Sequence, residues 1–259
     1  MKILVILRMV PDVIEELEVT PDGKALDSEF LRLIINESDN HALEEALLLK
    51  ERHGGTVTAL ALDASEIDEV LFTAVAKGAD RAVKITGVER SLTTRKVAAV
   101  LAKALPAVPN ALPADMILTG CQAIDDLDGQ VAPLLTQALD LPYLGLVTKV
   151  DANPAGARAS VVREFAGGVR GEFEVPMPAV LGIQAAEKPP RYVPVAKVRA
   201  VMKSAQIESV AAAGAPEVPA IDILEMKKPE AAGRAQMIEG SPEQAAAKIC
   251  DILAERGLL

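Results

Sequence analysis

Apolar positions along the chain fall into short blocks with two rhythms. Lys2–Leu7 is a nearly continuous apolar run of strand length and reads as a strand buried on both faces. A turn-rich excursion follows, with Pro21-Asp22-Gly23 its clearest turn. His41–Arg52 then repeats its apolar residues at helical spacing. Asn36-Glu37-Ser38-Asp39 precedes that run and Gly54-Gly55 stops it, with acids at the start and bases at the end. The alternation continues: strand Thr56–Leu62, helix Ser65–Lys77 closed by Gly78, strand Ala82–Ile85, helix Leu92–Ala104 stopped by Pro106, strand Asp115–Thr119, helix Gln130–Leu139. Pro133 must lie in the first turn of that last helix, where a missing N–H costs nothing.

Four strand–helix alternations are the pattern of an α/β fold with a doubly wound, mostly parallel sheet. The rhythm then changes. Ala159–Phe165 and Gly171–Val175, separated by Ala166-Gly167-Gly168-Val169-Arg170, read as an antiparallel β-hairpin, and Pro178–Ile183 as one more buried strand. The reading divides the chain into a nucleotide-binding α/β domain over 1–189 and a docking loop with a C-terminal arm over 190–259. Within the arm, Ala211–Ala220 is an Ala/Pro-rich linker. Ser241-Pro242-Glu243-Gln244 opens a last helix with a capping box, and Gly257 ends it. Ile249, Ile252 and Leu253 give that helix an apolar face, which predicts a covering surface on another chain.

Composition narrows the chemistry. Half of the 259 residues are hydrophobic, yet there are only two Tyr, four Phe and no Trp. The core is therefore built from Ala, Val, Leu and Ile, as suits a covered parallel sheet. Few aromatics and a net charge of −10 exclude a nucleic-acid reader, which needs stacking platforms and a basic face. Two distant cysteines, Cys121 and Cys250, and two histidines, His41 and His53, offer no zinc or iron–sulfur spacing. A reducing cytoplasm follows as the expected compartment. No apolar stretch is long enough to span a membrane, so no membrane insertion is expected.

In open parallel sheets, ligands bind past the carboxyl ends of strands, where strand order reverses. The segments leaving strands one, two and four are Leu7–Asp12, Leu62–Ala64 and Gly120–Val131. In the last, Gly120 lets a ligand approach the backbone, and Gly129-Gln130-Val131 presents free N–H groups at a helix start. Asp125, Asp126 and Asp128 are awkward beside a phosphate and better suited to shaping the loop or holding ribose hydroxyls. An ordinary loop with solvated acids is the bland alternative. No Ser/His/Asp, Cys/His or paired-carboxylate constellation emerges, so no catalytic residue is assigned. Cys121 reads as a small loop-packing residue and Cys250 as helix core. His41 is either a pocket or cap residue or a solvated one.

These same residues carry a resemblance. Gly120-Cys121-Gln122-Ala123-Ile124-Asp125-Asp126, continuing to Gly129-Gln130-Val131, resembles the nucleotide loop of electron transfer flavoprotein beta subunits. Asn36 with Ala42-Leu43-Glu44-Glu45-Ala46 is similar to a second motif of that family. Gly78-Ala79-Asp80-Arg81 is similar to a third, and Gly167-Gly168 with Met177-Pro178-Ala179-Val180 to its signature region. Pro190-Arg191-Tyr192 and Met202-Lys203 resemble its partner-docking segment, so that the likeness covers about residues 2 to 205 in order.

The resemblance implies a Rossmann-like core of the adenine nucleotide alpha hydrolase kind. It implies an obligate heterodimer with an alpha subunit, and one structural AMP in the beta subunit. The redox FAD lies mainly in the alpha subunit and is shared at the interface. Carried over by position, the AMP shell is Ile6, Asn36, Glu37, Ser38, Asp39, Leu62, Gly120, Cys121, Gln122, Ala123, Ile124, Asp125, Asp126, Leu127, Asp128, Gly129, Gln130 and Val131. Arg191, Tyr192 and an apolar anchor at Val195 form the docking segment, and the hairpin region of Arg163 and Glu164 lies near the alpha subunit, a plain surface pair being the alternative. The implied clients are acyl-CoA or related dehydrogenases, and the acceptor a membrane quinone oxidoreductase. Departures exist: Glu37 and Ser38 replace the usual Pro and aromatic, and Val13 stands at a flavin-touching aromatic position. Gln130-Val131-Ala132-Pro133 is closer to electron-bifurcating members, where a second FAD replaces AMP. Leu92-Thr93-Thr94-Arg95-Lys96 lacks those members' Asp-Thr-x-Ala-Thr pattern. AMP is the reading taken and FAD in its place the alternative. Two further alternatives are weighed. An ATP-using enzyme of related fold lacks its Ser-Gly-Gly loop here. A flavin-free regulatory module like the universal stress proteins lacks its phosphate loop.

Overall fold

A computed structural model describes the chain except residues 30, 89–91, 127, 213, 215–216, 219–221, 230–234 and 236. It divides into two compact units, 1–18 with 26–223, and 19–25 with 224–259.

In the larger unit, β1 (Lys2–Leu7) is the central strand of a nine-stranded sheet. Parallel to it on one side run β4 (Thr56–Leu62), β5 (Arg81–Thr86) and β11 (Ile207–Ala211). On the other side run β6 (Met116–Gly120), β10 (Ala179–Ile183) and β7 (Tyr143–Asn153), again parallel. The expected hairpin, β8 (Arg158–Glu164) and β9 (Arg170–Pro176), extends this edge antiparallel. The chain builds outward from β1 through β4 to β5, then returns to lay β6 on β1's other side. Strand order thus reverses between β1 and β6.

The continuous apolar run of β1 reflects burial from both faces. Ile3, Val5 and Leu7 enter a core beneath α1 (Glu37–His53) and α2 (Ile67–Lys77), with Leu43, Leu47 and Leu71. Leu4 and Ile6 enter a second core beneath α3 (Thr94–Ala104) and α4 (Val131–Leu139), with Leu101 and Leu135.

Several elements lie outside the sequence reading. A small antiparallel pair, β2 (Met9–Pro11) with β3 (Leu33–Ile35), leads from β1 into α1. α1 begins at Glu37 with Asn36 at its N-cap position, within the expected Asn36–Asp39 cap segment. In β7 the alternation is broken by a register shift around Gly145–Val147, which hides its period of two. Residues 195–211, set with the arm above, supply α5 (Val195–Ser204) and β11 to this unit, where Arg81 grips Glu208 through two bonds of 2.8 and 2.7 Å.

In the smaller unit, Thr20–Ala25 closes on itself and Met226 N–H donates to Gly23 O. α6 (Pro242–Glu255) carries the expected capping box, Ser241 with Gln244. α6 buries none of its residues, so Cys250, expected in a helix core, is exposed. Among the described residues, no helix is long and apolar enough to cross a membrane.

Candidate nucleotide site

At the β1/β6 reversal, a cleft is lined by Ile6 and Arg8 from the end of β1, and by Asn36 and Asp39 from the start of α1. Thr119, Gly120, Cys121, Gln122, Asp126 and Gly129 contribute from β6 and its loop, and Val131 and Ala132 from α4. This is where a doubly wound sheet offers a ligand both strand-end amides and a helix N-terminus.

Asp39 knots the floor together. One carboxylate oxygen accepts from Gly120 N–H at 2.6 Å, the other from Arg8 N–H at 2.8 Å. Strand ends β1 and β6 are thereby tied to the first turn of α1. Burial pushes the Asp39 carboxyl up to about 6, although Arg8 and the two N–H groups pull it down. Asn36 and Ser38 reach across to the loop: Asn36 Nδ2 and Ser38 Oγ donate to Gln122 O at 2.9 and 2.7 Å. The loop is folded on itself by Asp126 N–H to Ala123 O and Gly129 N–H to Asp126 O.

Two glycines are required by this geometry. A Cβ on Gly120 would collide with the Ser38 and Asp39 side chains. Gly129 sits at φ +62°, and a Cβ there would meet Cys121 O at 2.5 Å. Both positions let other atoms come against bare backbone.

Of the eighteen expected shell residues, the cleft gathers Ile6, Asn36, Asp39, Gly120, Cys121, Gln122, Asp126, Gly129 and Val131 on its walls. Ser38 and Asp125 stand behind, bonded to Gln122 and Arg8. Ala123 is buried within the loop turn, Gln130 is half-buried before α4, and Glu37, Ile124 and Asp128 are exposed. Leu62 packs into the second core rather than on the cleft wall. Leu127 lies outside the described residues. Burial raises the Cys121 thiol, the wrong direction for a nucleophile.

Arg8, Thr119 and Ala132 also line the cleft and were not expected. Position was the available signal for Arg8, the first residue past the first strand. Its guanidinium reaches Asp125 at 3.1 Å and Asp126 at 3.4 Å.

Along α1, a second set of polar contacts holds the segment after β10. Glu44 accepts from Arg191 N–H at 2.9 Å, and from its guanidinium at 2.8 and 3.0 Å, while Glu51 takes the other Nη at 2.6 Å. Arg191 is thus bound inward, whereas Tyr192 and Val195 stand 84% and 60% exposed. His41 neither lines the cleft nor is free in solvent: its Nδ1 accepts from Ala186 N–H at 3.1 Å. In the hairpin, Arg163 lies over the Phe165 ring and Glu164 pairs with Arg170 at 2.9 Å.

Comparison with known proteins agrees with this architecture. Residues 28–215 match the electron transfer flavoprotein domain. The electron transfer flavoprotein subunit beta of Methylophilus methylotrophus is 32% identical, over 98% of both chains. The subunit beta of Bacillus subtilis (strain 168) is 36% identical, over 69% of this chain and 67% of its own. Protein FixA of Sinorhizobium fredii is 34% identical, over 65% of this chain and 59% of its own. The chain belongs to the electron transfer flavoprotein family, alongside its beta subunits and FixA proteins.

Proposed function

We propose that this chain is the beta subunit of a heterodimeric, cytoplasmic electron transfer flavoprotein, a carrier rather than an enzyme. Its cleft holds a structural AMP, and with its alpha subunit it holds the FAD that takes electrons. Clients are flavin-dependent dehydrogenases such as acyl-CoA dehydrogenases, and electrons leave to a membrane quinone oxidoreductase. The observation that carries the nucleotide reading is the cleft itself. Two glycines that tolerate no side chain, the first-turn amides of α4 and one arginine converge on one strand-end crevice. Polar loop groups, Asn36, Ser38 and Gln122, suit ribose and base edges. Tyr192 and Val195, exposed beside the Arg191 anchor, support docking of a client there. Bound FAD supplies the redox chemistry, and this chain's residues bind and orient.

The second reading, a second FAD in the cleft as in bifurcating members, is favoured by Val131 and Ala132 on the cleft wall. One experiment separates the two. The chain is co-expressed with its alpha subunit, the dimer is denatured, and released flavin and AMP are counted. One FAD and one AMP per dimer are expected. Two FAD and no AMP replace the first reading with the second, and a colourless dimer overturns both.

A further inference from the structure

We propose that Arg8 is the residue that meets the phosphate of the bound nucleotide, and that Asp125 and Asp126 hold its place until that phosphate arrives. This rests on the nucleotide reading above.

A phosphate entering this cleft faces an adverse field. Asp126 and Asp39 line the cleft, and Asp125 pairs with Arg8 from outside it. Among the described lining residues, Arg8 is the one cation. The amides of Val131 and Ala132, in the first turn of α4, have no partner within their helix and share that cleft. Guanidinium and helix start together form an anion site from two elements, provided the guanidinium can be released.

Its present partners allow release. The two Arg8 ion pairs measure 3.1 and 3.4 Å, and Asp125 is 41% exposed. Charge-assisted bonds of full strength lie near 2.7–2.9 Å. Arg191, by contrast, holds Glu44 and Glu51 at 2.8 and 2.6 Å. The Arg8 main chain is fixed independently: its N–H bonds to Asp39 and its carbonyl accepts from Asn36 N–H at 2.9 Å. The side chain can therefore change partner while the backbone stays in place. The alternative role is a permanent brace, with Arg8 closing the loop whether or not phosphate is present.

The test uses the co-expressed heterodimer stripped of nucleotide, with calorimetric titration of AMP and of adenosine, which lacks the phosphate. Wild type should bind AMP more tightly than adenosine. Arg8→Gln should weaken AMP by roughly ten- to a hundred-fold, the loss of one charged hydrogen-bond partner, and leave adenosine nearly unchanged; Arg8→Lys should restore part of the preference. Asp125→Asn with Asp126→Asn removes the competitor and should leave the preference for AMP over adenosine equal or larger, whatever happens to ribose contacts common to both ligands. Equal weakening of both ligands in Arg8→Gln overturns the assignment, as does a fall in the preference for AMP over adenosine in the Asp125/Asp126 variant, since either marks a brace. A wild-type dimer that binds neither ligand overturns the AMP reading itself, and the assignment with it.

Discussion

Helix α1 buries carboxylates in two places, and they are treated differently. At its first turn, Asp39 is bonded to the backbone N–H groups of Arg8, just past β1, and Gly120, at the end of β6, and the Arg8 guanidinium is held by long ion pairs. Further along, Glu44 is saturated by Arg191, and Glu45 accepts from Glu187 N–H at 3.0 Å and lies 3.4 Å from Arg52. Both regions bury charge, which is tolerated only when it is paired. The clamp at Glu44 is short, multiple and closed. The cleft is fixed at its floor by the short Asp39 bonds, and only the Arg8 guanidinium above it is held by long contacts. A binding site needs polar groups that can exchange partners, whereas an anchor needs groups that cannot.

Breaking the clamp should give the largest effect. Glu44→Ala leaves Arg191 with Glu51 alone and empties a buried site. Because Arg191 is partly solvated, the cost should be about 2–4 kcal/mol, somewhat less than for a fully buried pair. Urea unfolding of the heterodimer measures it, and an unchanged midpoint would show that the clamp contributes nothing.

The floor of the cleft should show itself through pH. Asp39 has a folded-state pKa of about 6, above its ordinary value of 3.8. The folded protein therefore holds this proton more tightly than the unfolded chain, and stability falls as pH rises from about 4 to 6. The total fall attributable to this group is on the order of 2–3 kcal/mol. In Asp39→Asn that component should vanish, so the stability difference between variant and wild type should move toward the variant across this window. Parallel pH profiles would place the Asp39 carboxyl near its ordinary range.

The smallest effect on the fold belongs to the exposed end of the anchored segment. Val195→Asp alters a residue 60% exposed at the start of α5 and should change stability by less than about 0.5 kcal/mol. Under the proposed docking, it should weaken a client dehydrogenase such as an acyl-CoA dehydrogenase by on the order of 1 kcal/mol, several-fold in KM for electron transfer. Unaffected transfer kinetics would move the docking surface elsewhere.

Much of this was legible in the chain. Elements with a clean period and clear punctuation, β1, β4, β5, β6 and the helices between them, were assigned type and place from their own residues. β7 is hidden by its bulge, β2 and β3 are apolar but only three residues long, too short to show a period, and β11 is a five-residue edge strand defined by its pairing with β5. The cleft was legible as a set of strand ends and a glycine-bearing loop. Arg8 carries no such signal, because a single cation after a strand has no pattern of its own.

The sequence by itself determined the α/β alternation, the Ala/Val/Leu/Ile core, the hairpin, the capped last helix and the strand ends that could face a ligand. These follow from local periodicity and composition, which act within a few residues. The tertiary structure alone decided that Arg8 meets Asp125 and Asp126, that Asp39 bridges β1 and β6, and that Arg191 turns inward to Glu44. Each of those contacts joins residues more than thirty positions apart. Ion pairs and hydrogen bonds are set by distances of a few ångströms, and only the packed sheet brings such distant positions that close.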